Sequence, residues 1–480
     1  MRTATKSLMT AVLAAGMIAA GGSTTIATPA SVGGVVLTAN QDSGNGSNDN
    51  NGSSDHNENS ADQDRGGHSS NSNNDSNRNR NEAKSDRGGD ASNTNIDSNH
   101  NRNKADADRG GQAGNLNFGG RSNKNQATAD RGGHANNLTV GSRNDSKATA
   151  DRGSTATNGT LGNRNTNSAS ADHQSTATNL VGGNRNTASS TADTNSNAGN
   201  GIAGNRNNAE AEANGNSDAT NTITGSRNNV KSEANTFSLA TNTVNGRRNN
   251  ATSTANTGSI AQNSTTGDHN TVTTTAGHNG NAQSIVTGAG GVGAGNGNTV
   301  TTTTDGTGTS DLVGSHATGI AHGNDNTVKS TSTGGTEFNT TATAEGNQNT
   351  VTASADGVGS AATATATGDG NNARAGATRG GAADSTVTAD GGRARSVADG
   401  AGSSSSSKVT GDGANATSVG FNGGKSTTTA NRPNSYAFAV AVGTGSTASA
   451  TTNTGGADSV GCTGHGAAAF TSGGAIAFCP

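Results

Sequence analysis

The chain has 480 residues, a net charge of −4, no Trp, one Tyr and 74 Gly, and only 27% of it is hydrophobic. That length would hold several globular domains, but this composition excludes an ordinary thick apolar core. The near-neutral balance gives no electrostatic basis for binding nucleic acid or a membrane surface.

Arg2 and Lys6 precede an apolar run from Leu8 to Ala20, and small residues follow near Thr28-Pro29-Ala30. A basic start, a short apolar centre and small side chains predict a signal peptide over residues 1–30. The run is shorter than the ~20 apolar residues of a membrane-spanning helix. No later segment is suited to spanning a bilayer, so we expect a secreted or envelope-associated chain without integral membrane insertion. Residues 31–56 are dense in Asn, Ser, Asp and Gly without periodicity, which predicts a disordered polar lead.

Residues 57–378 carry a tandem repeat. An anchor Asn recurs every 22 residues at Asn57, Asn79, Asn101 and Asn123. The step then becomes 21, through Asn144, Asn165, Asn186, Asn207, Asn228, Asn249 and Asn270. Looser copies follow at Asn298, Asn326, Asn349 and Asn371. A second Asn lies 14 residues after successive anchors, at Asn71, Asn93, Asn115, Asn137, Asn158, Asn179, Asn200, Asn221, Asn242 and Asn263. Fixed self-similarity at this period marks a stacked array.

Within each unit, positions four and six after the anchor are small, as in Ala169 and Ala171 or Ser253 and Ala255, and polar residues alternate with them. Period-two alternation predicts a strand with a small inward face. A second alternation follows at Ala219, Asn221 and Ile223, and again at Ala240, Asn242 and Val244. Gly three residues before the anchor (Gly183, Gly204, Gly225, Gly246, Gly267) suits a turn because it accepts positive φ. Asp-Arg-Gly-Gly, starting at Asp64, Asp86, Asp108 and Asp130, marks the other turn.

The expected fold is therefore all-β, a β-solenoid with two short strands per 21–22-residue coil. Stacked coils would bring both Asn columns into side-chain amide ladders. Fifteen anchors at ~4.8 Å per coil imply a rod of roughly 70 Å. The early coils, rich in charge and poor in Val, are expected to be the loosest.

Residues 379–433 form a Gly/Ala/Ser-rich low-complexity tract containing Ser403–Ser407. Residues 434–480 gather Tyr436, Phe438, Phe470 and Phe478, which predicts a small β-rich cap. The two cysteines, Cys462 and Cys479, are close together in an exported chain and are expected to form a disulfide.

The phasing G-x-x-N-x-[AV]-x-[AST]-x-A is carried by Gly246, Asn249, Ala251, Ser253 and Ala255, then by Gly267, Asn270, Val272, Thr274 and Ala276. It resembles the curlin repeats of bacterial curli subunits, with Ala or Asn here in inward columns that hold Gln there. The resemblance implies a β-solenoid or cross-β subunit of an extracellular fibre. The segment from Asn434 to Ala448 resembles head repeats of trimeric autotransporter adhesins. The overall style is similar to secreted actinobacterial envelope proteins.

No catalytic constellation is evident: there is no H-E-x-x-H, G-x-S-x-G or P-loop pattern, so no enzyme, metal site or cofactor is expected. Arg-Gly-Gly at Arg65, Arg87, Arg109 and Arg131 follows Asp at unit spacing, which reads as turn chemistry rather than RNA binding. The G-G-x-G-x-D pattern of calcium solenoids is absent. Outward Thr rows at Thr271, Thr273 and Thr275 and at Thr299, Thr301 and Thr303 raise ice binding. Lys329 interrupts them and 28-residue spacings disturb their period, so β-propensity explains them first. The expected function is a secreted, non-enzymatic structural or adhesive protein. Its partners would be further copies of itself or cell-envelope components, with no nucleic acid. The alternatives are a solenoid binding ice or envelope glycan, and a disordered secreted spacer.

Overall fold

The computed structural model describes strands from Ser23–Thr28 to Ala475–Phe478 and part of the turns between them. Residues 1–22, 29–34, 52–56, 288–298, 306–315 and one or more positions in most other turns lie outside the described residues. Among the described residues there is no helix. The strands stack in parallel as a β-solenoid, with about 22 residues per coil. The chain divides into two compact units, Met1–Gly162 and Asn163–Pro480.

In the first unit, every second strand pairs. Asn57–Gln63, Asn79–Ser85, Arg102–Ala107, Lys124–Ala129 and Asp145–Ala150 form one parallel sheet, here called the anchor sheet. His68–Asn74, Asp90–Ile96, Gln112–Asn117, His134–Thr139 and Thr155–Thr157 form the opposite sheet. Two strands of the polar lead also join: Val35–Gln41 pairs with Asn57–Gln63, and Asn45–Asn51 with His68–Asn74.

The second unit repeats the plan. Its anchor sheet runs from Thr166–Ala171 through Thr271–Gly277 and Thr299–Asp305 to Tyr436–Val442 and Ala475–Phe478. The pairing passes without interruption through the tract 379–433. Arg393–Ala398 and Asn415–Gly420 extend the anchor sheet there, while Ser404–Val409 and Lys425–Ala430 extend the opposite one. Low complexity in this tract is therefore solenoid sequence. Ser405 and Ser407 occupy inward positions, where a small side chain is what the interior accepts.

Strict alternation explains the interior. Along Asn250–Asn256 the buried residues are Ala251, Ser253 and Ala255, with Thr252 and Thr254 facing outward. Facing columns of Ala and Ser let two sheets close on each other without aromatic residues. The apolar content rises along the chain: Val272, Val300, Val328 and Val351 form one fully buried column.

The turns continue the ladder around the corners. In the Asp-Arg-Gly-Gly turns, Asp108 N donates to Ser85 O at 2.9 Å and Arg109 N to Asp130 O at 3.1 Å. Gly89 and Gly111 stack so closely that a Cβ on Gly111 would overlap the Gly89 carbonyl, and one on Gly89 the Gly67 carbonyl.

Candidate functional site

With no catalytic motif in the sequence to start from, the candidate sites are the buried polar interior and the repeated outer faces among the described residues. Of the two Asn columns, the anchors Asn144, Asn165, Asn186, Asn207, Asn228, Asn249 and Asn270 lie outside the described residues. The earlier anchors Asn57 and Asn79 are buried.

The second column is described throughout and is buried. In the first unit Asn48 donates to Asn71 at 3.1 Å, Asn71 to Asn93 at 3.0 Å and Asn93 to Asn115 at 3.1 Å. The other amide proton of Asn71, Asn93 and Asn115 goes across the core to a backbone carbonyl of the anchor sheet, at Glu82, Lys104 and Gln126. Asn158 donates to Asn137 at 2.8 Å. In the second unit Asn200 donates to Asn179 (2.6 Å), Asn221 to Asn200 (2.5 Å), Asn242 to Asn221 (2.6 Å) and Asn263 to Asn242 (2.9 Å). A buried amide left unpaired is costly, and stacking lets these amides bond to one another, although the Asn137 Nδ2 has no acceptor among the described residues.

A further set of interior amides is not marked by the anchor arithmetic. Asn59, Asn81, Asn103 and Asn125 point inward from the anchor sheet, and Asn73, Asn95 and Asn117 from the opposite sheet. They bond alternately across the core: Asn59 to Asn73 (2.8 Å), Asn73 to Asn81 (2.6 Å), Asn81 to Asn95 (2.9 Å), Asn95 to Asn103 (2.6 Å), Asn103 to Asn117 (2.8 Å) and Asn117 to Asn125 (2.5 Å). This zipper runs along the coils that composition marks as loosest. The available signal was the second Asn in N-x-N at Asn57-Glu58-Asn59, Asn79-Arg80-Asn81 and Asn101-Arg102-Asn103.

Beyond Asn263 the same column continues as Ser284, and amides give way to hydroxyls. Ser284 Oγ donates to Thr274 at 2.6 Å and Thr302 Oγ1 to Ser284 at 3.0 Å.

Three outer features repeat. The first is the Thr face of the second unit, where pairing is in register: Thr271, Thr299, Thr327 and Thr350 form one column, and Thr273, Thr301, Lys329 and Thr352 the next. The third column is Thr275, Thr303, Thr331 and Ser354. The long spacings do not break this face, because the extra residues fall between strands and leave the strands aligned.

The second is a set of charged ladders. In the first unit Lys104 pairs with Glu82 at 3.2 Å, Lys124 with Asp145 at 3.3 Å and Arg80 with Glu58 at 3.5 Å, each one coil apart. In the second, Lys231 lies between Glu233 (3.0 Å) and Glu210 (3.2 Å). Hydrogen bonds that Lys231 donates to Glu233 and then to Glu210 raise its pKa above the usual value, against a desolvation penalty. The ammonium is nearly half exposed, so solvent and salt screen most of this interaction.

The third is the residue just before each anchor. Arg164, Arg185, Arg206, Arg227 and Arg248 all have φ between 60° and 65° except Arg248 at 57°, and all are exposed. His269 occupies the same position with φ 58°. Gly accounts for only part of the turn: Gly267 has φ 129°, and the basic residue supplies the second left-handed position.

Cys462 lies on the strand Asp458–Thr463, while Cys479 and the Cys462 side chain are outside the described residues. No known family model, curated protein or solved structure matches the chain.

Proposed function

We propose that the chain is an exported, non-enzymatic structural and adhesive protein of the cell surface. It acts through an extended β surface that associates with further copies of itself or with envelope components. The observation that carries this reading is the in-register stacking of outward faces, which repeats polar side chains from coil to coil, as in the column Thr271, Thr299, Thr327 and Thr350. Weak contacts at one coil are thereby multiplied along the face. The curlin-like phasing and the basic, apolar, then small N-terminal sequence support the same reading.

Purified chain lacking residues 1–30 is expected to form concentration-dependent assemblies that keep a β-type circular dichroism spectrum and bind thioflavin. A chain that stays monomeric and coil-like at every concentration would remove the proposal.

The proposal includes oxidation of Cys462 and Cys479 after export. Gly461 pairs with Phe478 in neighbouring parallel strands, and in sequence Cys462 and Cys479 follow these two residues. Mass spectrometry of secreted protein alkylated without reduction should show neither thiol labelled. Quantitative labelling of both would contradict the disulfide.

A second reading, ice binding, is favoured by the alignment of the Thr columns. Neighbouring Thr stand ~4.8 Å apart between coils and ~6.7 Å apart along a strand, in a repeating lattice. The chain should then slow ice recrystallisation, and Thr301→Lys should abolish the effect while Lys329→Thr strengthens it. Recrystallisation unaffected by the unmodified chain would end this reading.

A further inference from the structure

Net charge conceals how charge is distributed. Strands Thr166–Ala171, Thr187–Ala192, Asn208–Asn214, Asn229–Asn235, Asn250–Asn256 and Thr271–Gly277 pair in strict register. Arg164, Arg185, Arg206, Arg227, Arg248 and His269 each precede the first residue of one of these strands by two positions. They therefore follow one corner of the solenoid at ~4.8 Å per coil, five guanidinium groups in file.

No acid adjoins any of the five arginines in sequence, although Asp268 precedes His269. Glu210 and Glu233 hold Lys231 on the strand face, and Asp172 pairs with His173 at 2.9 Å in the turn beyond the strand. Among the described residues, none of the five arginines enters an ion pair. Like charges at this spacing repel, so the row is not there to hold the coils together.

Backbone conformation shows that Arg is not required here by the turn. All five occupy the left-handed region, which side-chain-bearing residues adopt uncommonly and in which Asn is several-fold enriched. Asn is abundant in these turns: it follows every one of the five and precedes Arg164, Arg185 and Arg206. The turn thus holds Arg where Asn would meet the backbone demand more easily. Arg87, Arg109, Arg131 and Arg152 hold the same conformation in the other turn, so the fold tolerates Arg there, and what sets this corner apart is its file of positive charge, unpaired among the described residues.

We infer that this corner is a binding edge for a flexible, linear polyanion bearing closely spaced phosphate or sulfate groups. Arg forms forked, charge-assisted hydrogen bonds to such oxyanions, and a straight row matches a polymer able to lie along it. Single-stranded nucleic acid is a poorer fit, because no aromatic side chain alternates with the arginines to stack bases. A stiff double helix carries its phosphates along a curved path and meets a straight edge at few points. This inference is independent of self-association, since the edge functions in a single copy of the chain.

The test compares full chain lacking residues 1–30 with a variant carrying R164N, R185N, R206N, R227N and R248N. Long-chain polyphosphate, dextran sulfate and double-stranded DNA serve as probes over a salt series. The unmodified chain should bind polyphosphate or dextran sulfate, with log K falling against log salt at a slope of about −3 to −4 for five neutralised charges. Preference between those two polymers identifies the phosphate or sulfate source. The Asn variant should lose at least tenfold in affinity and most of that slope. Its circular dichroism and thermal midpoint should be unchanged or improved, which separates lost binding from lost folding. Undiminished binding by the folded variant, failure of the unmodified chain to bind either polymer, or equal affinity for the duplex would each overturn the assignment.

Discussion

Replacing Asn103 with Ala should cost ~2–5 kcal/mol and loosen at least three coils. Asn103 accepts from Asn95 and donates to both Asn117 and Asn125, at 2.6, 2.8 and 3.1 Å. Removing it leaves the Asn95 amide N–H and the Asn117 carbonyl oxygen without those partners in a site closed to water. Each such orphan costs roughly 1–3 kcal/mol. Asn125 retains a donor in Asn117, so the damage falls mainly on the centre of the zipper. Backbone hydrogen exchange should accelerate in Asn79–Ser85, Arg102–Ala107 and Lys124–Ala129. A control at the neighbouring outward-facing, half-buried Lys104, changed to Met, should cost no more than ~1 kcal/mol, because a surface ion pair contributes little. Equal effects from the two substitutions would show that the interior amides contribute nothing special.

Gly111→Ala should be comparably damaging for a steric reason. The added methyl would overlap the Gly89 carbonyl, and backbone cannot move aside as a flexible side-chain tip can. Relief requires the two coils to separate at this corner, where Arg109 N reaches Asp130 O and Asp108 N reaches Ser85 O. We expect a loss of ~3 kcal/mol or more, at or above the usual range for overpacking. Gly66→Ala is the informative comparison. Its Cβ would meet nothing within 4 Å, so only the strain of φ 65° opposes it. Thermal unfolding should place Gly111→Ala clearly below Gly66→Ala; the reverse order would contradict close stacking at the Gly89–Gly111 corner.

Much of this architecture was legible because period-two alternation and a fixed period constrain a chain strongly. The small residues at Ala251, Ser253 and Ala255 specify an inward face whatever the partner. The 14-residue offset puts Asn179, Asn200, Asn221 and Asn242 in one column, and in the structure they are buried and bonded to one another.

Other features were harder to read, each for a physical reason. Asn59, Asn81 and Asn103 resemble turn residues in isolation, because an amide ordinarily belongs in water or a turn. Only the pairing of facing strands shows that each meets a second amide across the core. The tract 379–433 lacks the Asn ruler, so its period was hidden. Ser405, Ser407 and Ser418 nevertheless fill the inward positions that Asn and Ala fill earlier. Thr rows with irregular sequence spacing regain their order because strands fix the lattice and intervening residues do not. Finally, charge summed over the whole chain could not reveal a row of arginines at one corner.

These observations share a physical basis. A chain with few large apolar side chains cannot gain much by burying surface. Its coils are instead held by backbone ladders, close glycine corners and interior polar groups, many of which bond to one another. The chemistry of the interior changes along the chain, from cross-core amide pairs through a single amide column to hydroxyls and Val. The outer faces are thereby free to carry Thr, paired charges or Arg without changing the fold.

Side-chain amide exchange at Asn200, Asn221 and Asn242, followed by NMR after Asn-selective 15N labelling, tests the central claim most directly. Vertical bonding in a closed interior should protect these Nδ2 protons far beyond those of an exposed Asn such as Asn250. Exchange at the rate of a free asparagine amide would contradict a column held together from within.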